Sequence, residues 1–185
     1  MNKELVKKSL HLMVVSIIVS IVAVVFSLIG ACVAFGSADA GAVIIMIGSI
    51  IVVVAGIISL VALYNGKCGG VEKFGIAFWV AIAGIIVSVI SFIFALIPNC
   101  APVATAFMII SAACSAVQVV FECLGLIDIV PSNKNLAFAT LICWGVGIIL
   151  NAIPVGAVSI IGAIISLAAA IMQIILVFKT QKEYN

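Results

Sequence analysis

Residues 74–97 read FGIAFWVAIAGIIVSVISFIFALI, 24 consecutive positions without a charge. As a helix at about 1.5 Å per residue this stretch reaches about 36 Å, more than the ~30 Å hydrocarbon core of a bilayer. Its small residues return every three or four positions. In lipid every backbone polar group must be satisfied within the chain, so such a run is read as a spanning helix.

Working outward, five more runs have the same character. They cover about 10–35, 41–64, 102–130, 136–152 and 155–178. The fifth, at about 25 Å, barely crosses the core, and a re-entrant hairpin from the last two runs is the competing arrangement. The breaks carry Gly, Pro and Asn, the residues of turns: Gly36-Ser37-Ala38-Asp39, Asn65-Gly66-Lys67-Cys68-Gly69-Gly70, Pro98-Asn99, Pro131-Ser132-Asn133-Lys134-Asn135, and Asn151 with Pro154. The expected fold is an all-α membrane protein. It is a six-helix transmembrane bundle over 1–185 as a single domain, with no soluble domain among its short loops.

Composition agrees. Hydrophobic residues make up 67% of the 185 and charged residues 8%, against roughly 25% charged in soluble domains. The net charge of +2 gives no basic face for nucleic acid. All eight basic residues are Lys, so the bidentate phosphate or carboxylate recognition typical of Arg is absent.

Those lysines set the expected orientation. Lys3, Lys7, Lys8, Lys67, Lys73, Lys134, Lys179 and Lys182 all fall on one side of a six-span arrangement. The positive-inside rule makes that side, with both termini, cytoplasmic. Lys7-Lys8 before an apolar run resembles a signal peptide, and Leu28-Ile29-Gly30-Ala31-Cys32 loosely resembles a lipoprotein cleavage box. The run is longer than a signal's apolar region, so it is read as an uncleaved first span. The span pairs also suggest three parallel helical-hairpin repeats, each an outward helix, a short turn, an inward helix and a Lys-bearing segment.

Small and polar residues form a stripe on the helices. Ser16, Ser20, Ala23, Ser27, Gly30 and Ala34 mark the first. Gly48, Ala55, Ser59, Ala62 and Gly66 mark the second, with Val52 interrupting the row. Ala77, Ala81, Gly84, Ser88, Ser91 and Ala95 mark the third. The fourth carries Ala104, Ser111, Ser115, Gln118, Glu122 and Gly125, with Met108 interrupting the row, and the sixth carries Gly156, Ser159, Ala163, Ser166, Ala170 and Gln173. Steps of three and four average 3.5 residues, the period of a left-handed seam. In lipid, close approach through Gly, Ala and Ser supplies the packing, so crossings near about +20° are expected.

Glu122 is the leading candidate for chemistry. It lies about 13 Å inside the span from Pro131, one turn from Gln118 on the same face, with no Lys inside any span. An ionisable residue inside the membrane marks a proton or ion site by default. The plainer reading is an acid that hydrogen-bonds neighbouring helices. Ser111, Ser115, Gln173, Asn151 and Trp144 are candidate pathway or packing residues, with buried amides serving as interhelical glue. Asp128 is expected to reach headgroups or Lys134, and His11 to sit at the interface.

Among the six Cys, Cys32 and Cys100 fall near the outer ends of their spans and form a candidate disulfide. The others read as small apolar residues, although Cys68, in a Lys-bearing loop, is also a candidate for palmitoylation. No catalytic residue, metal site or cofactor is expected. The chain has no H-E-x-x-H, no phosphate loop and a single His. Two functions remain. One is a channel or transporter for protons or small cations. The other is a non-catalytic scaffold whose small-residue faces bind a homo-oligomer or another membrane subunit, with the lipid bilayer as surroundings.

Overall fold

The computed structural model describes residues 2–34, 36–95, 97, 99–151 and 156–184. It is helical, with no strand among the described residues. The helices are α1 (Lys3–Ala34), α2 (Ala38–Cys68), α3 (Glu72–Ala95), α4 (Ala101–Ile129), α5 (Lys134–Asn151) and α6 (Gly156–Tyr184). Five are long and apolar enough to cross a membrane, and the exception is the 18-residue α5.

Local signals set the ends. Ser37 caps α2, accepting from the Ala40 N–H, with Asp39 in the first turn. Such an arrangement satisfies a free amide and favours the positive end of the helix dipole. Gly69 ends α2, its N–H donating to the Asn65 carbonyl at 2.8 Å, and Gly70 follows at φ 93°. Asn99 adopts φ 67° ahead of α4, a left-handed conformation that Asn tolerates better than most residues. Pro102 sits in the first turn of α4, where its missing N–H costs no helical bond.

Several boundaries differ from the sequence reading. The first helix begins at Lys3 rather than Leu10, because Val6, Ser9 and Leu10 are buried. The Asn2 N–H also donates to the Gly69 carbonyl at 2.8 Å. The second continues through Gly66 to Cys68, since Gly66 is where Phe74 and Ser9 come close. The sixth runs on to Tyr184 rather than stopping at Phe178. There Thr180 is buried and accepts from Asn133 Nδ2 at 3.2 Å, and Ser132 Oγ donates to Glu183. Hydropathy marks the apolar portions and passes over these polar extensions, which pack on one another.

Helices pack most extensively in the sequential pairs α1–α2, α3–α4 and α5–α6, and α1 also contacts α6. The pairs are antiparallel and close through small residues. Ser9 Oγ donates to the Ala62 carbonyl (2.7 Å) and Ser16 Oγ to the Ala55 carbonyl (2.9 Å). Seven residues forward on one helix thus meet seven residues back on the other. In the second pair Ser91 Oγ donates to the Ala104 carbonyl (2.7 Å) and Ser111 Oγ to the Gly84 carbonyl (3.3 Å), the same seven-for-seven step. In the third, Gly147 lies against Ser166.

The expected stripe faces inward over much of its length. Ser16, Ala23, Ala55, Ala62, Ala77, Ala81, Ala104 and Glu122 are buried, while Ile50, Val53, Ile57, Ile86, Val89, Ile109 and Ile164 are exposed. The inverted distribution of apolar bulk is what a lipid solvent permits.

The largest buried side chains gather at the end where the Lys-bearing segments meet. Phe74, Leu10, Leu63, Leu126, Val6 and Val177 form this core. A Cβ added at Gly66 or Gly125 would collide with the Phe74 ring, so two glycines make room for that ring. Outside this core, Lys67 Nζ stands 5.1 Å from the Trp79 ring centre and 5.7 Å from that of Phe78. Paired cations and aromatic rings of this kind suit a membrane interface.

Candidate functional site

Next to that core, residues of α1, α2, α4, α5 and α6 line a half-open cavity of about 620 Å³, with Val24, Val52 and Ser115 exposed on its walls. Its residues come from the middle of the helices. Ser16 and Ser20 stand on α1, Ser59 on α2, Gln118 and Glu122 on α4, Trp144 on α5, and Ser166 and Gln173 on α6. The stripe produces this wall. A small residue every three or four positions keeps polar atoms on the inward face and leaves room between helices.

Glu122 is 7% exposed and sits at the centre of a hydrogen-bond chain. Gln118 Nε2 donates to Glu122 Oε1 at 2.7 Å. Gln173 Nε2 donates to Glu122 Oε2 at 3.0 Å. Trp144 Nε1 donates to Gln173 Oε1 at 3.1 Å. The chain crosses three helices.

The two glutamines differ in freedom. An indole N–H only donates, so Trp144 requires the Gln173 oxygen and thereby turns the Gln173 nitrogen toward Glu122. Gln118 makes its bond from one turn away on the same helix, with no such second partner fixing its amide. Turned over, it would accept a proton borne by Glu122 Oε1. The arrangement therefore suits both an ionised and a protonated carboxyl.

Two smaller open hollows adjoin this one, with Ser115 and Ser88 exposed on their walls. The first, of about 140 Å³, lies among α2, α3 and α4 and shares Gly56, Ser59, Ser115 and Gln118 with the large cavity. The second, of about 290 Å³, lies between α3 and α4 and shares Ser88 and Ser111 with the first. Ser115 Oγ donates to the Ser111 carbonyl at 3.1 Å, and the Ser88 and Ser111 hydroxyls hydrogen-bond each other. A row of hydroxyls thus leads from Gln118 along α4 toward its N-terminal half.

Of the residues singled out from sequence, Glu122, Gln118, Gln173 and Trp144 come together. Ser115 and Ser111 lie along the adjoining cavities. The Asn151 and Cys32 side chains are outside the described residues, so the proposed Cys32–Cys100 bridge is not visible, and Cys100 is half-buried. Asp128 is exposed but forms no ion pair with Lys134. The ion pair among the described residues is Lys179–Glu183, at 3.8 Å. Lys134 Nζ lies instead 5.8 Å from the Phe138 ring centre. His11 is exposed.

Ser16, Ser20, Ser59 and Ser166 stood on the stripes but were not singled out for the site. Their signal is the stripe itself, which fits helix packing and a polar path equally well. Among the described residues no group of His, Cys, Asp and Glu is placed to hold a metal ion. The chain matches no protein-family model, no curated protein and no solved structure.

Proposed function

We propose that this chain is a small membrane transport protein, a channel or transporter for protons or small cations, with Glu122 as its binding group. The observation that carries the reading is the mid-helix cavity whose one acid is held by Gln118 and Gln173. Membrane acids facing a cavity mark ion pathways. The hydroxyl row of Ser115, Ser111 and Ser88 supplies a polar route away from it, while the apolar core at the Lys-bearing end forms the opposite barrier.

In this reading the chain crosses the membrane six times as a mostly left-handed bundle of three hairpins. The antiparallel pairs and their seven-residue step support the hairpins. Both termini lie on the cytoplasmic side, with the α2–α3 and α4–α5 connections. The gathering of these segments at one end supports that orientation.

The test is flux into liposomes holding the purified protein, read with a pH-sensitive dye and a cation-sensitive dye, beside Glu122→Gln. Flux that is lost, or changes its pH dependence, in a folded Glu122→Gln protein is expected. Equal flux in both would rule Glu122 out. No flux in either would transfer the assignment to a scaffold that binds another membrane subunit.

A further inference from the structure

Building on the reading of Glu122 as the binding group, we propose that the large cavity takes an organic monocation with an apolar body, such as a lipophilic amine or a quaternary onium ion, rather than a bare metal ion.

Size is the first argument. At about 620 Å³ the cavity falls in the range of small-molecule pockets, roughly 300–1,000 Å³, and far exceeds the space of one dehydrated ion. The second is the wall. Ile17, Ile21, Val24, Val52 and Leu167 give it an aliphatic surface between the polar groups. Such a surface offers nothing to a hydrated inorganic ion, but burying the body of an organic ligand against it is favourable.

Charge is the third argument. Glu122 is the one ionisable side chain among the residues lining the cavity. A single formal negative charge matches a monocation. The fourth is the immediate surroundings of that charge. Hard cations are held by several oxygens, yet each Glu122 oxygen faces an amide N–H, from Gln118 and from Gln173. The Gln173 N–H, fixed in place by Trp144, repels a metal ion at Oε2, and a turned Gln118 would add only one oxygen, fewer ligands than a hard cation takes. A delocalised organic cation has no such requirement. It gains from the net charge at a distance and from aromatic surface, which Trp144 contributes to the same wall.

Gly56 provides an independent handle. It lines the cavity, and a Cβ added there would meet nothing within 4 Å. The Cβ of a residue at this position enters open space, and a bulky side chain there takes up room beside the cavity wall.

The experiment is equilibrium binding of tetraphenylphosphonium to the full chain in nanodiscs, with neutral triphenylphosphine oxide as a parallel probe. Saturable binding of one phosphonium per chain is expected, with weak binding of the oxide. Glu122→Gln should weaken phosphonium binding by about thirtyfold or more, the loss that follows when one partner of a desolvated charge pair is removed. Gly56→Phe, with the acid intact, should also weaken it. Helical circular dichroism and a single gel-filtration peak control for folding, and Gly56→Phe keeps the test decisive if Glu122→Gln misfolds.

Equal phosphonium binding by the wild type and both variants would overturn the proposal. So would equal binding of the neutral oxide, which would mark a lipid-tail cavity, or specific displacement by sodium over potassium, which would mark a metal-ion site. The two assignments fail separately. Glu122-dependent proton flux without phosphonium binding would leave transport standing and remove the organic cation. Glu122-dependent phosphonium binding without any flux would do the reverse.

Discussion

Gln173 is held at both ends of its amide, by the Trp144 N–H and by Glu122. Replacing it with Leu strands the buried Glu122 Oε2 and the half-buried Trp144 N–H together, whereas Gln118→Leu removes one partner, of Glu122 Oε1, from the rim of the cavity. An unsatisfied buried polar group costs about 1–3 kcal/mol. Gln173→Leu should therefore lower the thermal midpoint in detergent more than Gln118→Leu does. In a Trp79→Phe background the remaining tryptophan is Trp144, so its emission should also shift in Gln173→Leu and hold in Gln118→Leu. A larger effect from Gln118→Leu would mean that the relay through Trp144 is not the supporting part. The i, i+4 spacing made the Glu122–Gln118 pair legible in the sequence. Gln173 and Trp144 were legible only as stripe members, because their meeting depends on how α5 and α6 are rotated against α4.

At the scale of the helices, close approach decides what can change. Phe74 occupies space left by Gly66 on α2 and Gly125 on α4, so the ring ties three helices at the Lys-bearing end. Gly125→Ala should destabilise the fold by about 1–3 kcal/mol, the cost of overpacking a filled core. Gly56→Ala, where a Cβ meets nothing, should leave the thermal midpoint nearly unchanged. Equal losses at the two sites would argue for a general helix–glycine effect rather than ring packing. Ser16→Ala removes a hydrogen bond from α1 to α2 and should cost only about 0.6 kcal/mol, as interhelical bonds in membranes usually do. The stripes announced these contacts as a class. They did not identify Phe74 as the residue the glycines accommodate, because an apolar residue at a helix start looks alike whether it faces lipid or the core.

For the whole molecule, orientation can be read from one thiol. Cys68 is exposed at the end of α2, beside Lys67, while Cys123 is fully buried. With both termini cytoplasmic, a membrane-impermeant maleimide should label Cys68 in inside-out vesicles and spare it in intact cells. Labelling from the outside would reverse the proposed topology. Length and hydropathy were enough to foresee helices long and apolar enough to cross a membrane, their breaks, and an inward stripe with an acid on it. These follow from local chemistry, since a charge-free run of that length must satisfy its own backbone. The extensions of α1, α2 and α6 beyond the apolar runs, the Phe74 wedge, and the joining of Glu122 to Gln173 and Trp144 came only with the tertiary structure. Each depends on the rotation and depth of one helix against another. In lipid those are set by the fit of small side chains across an interface, a property of two surfaces that neither helix's own sequence contains.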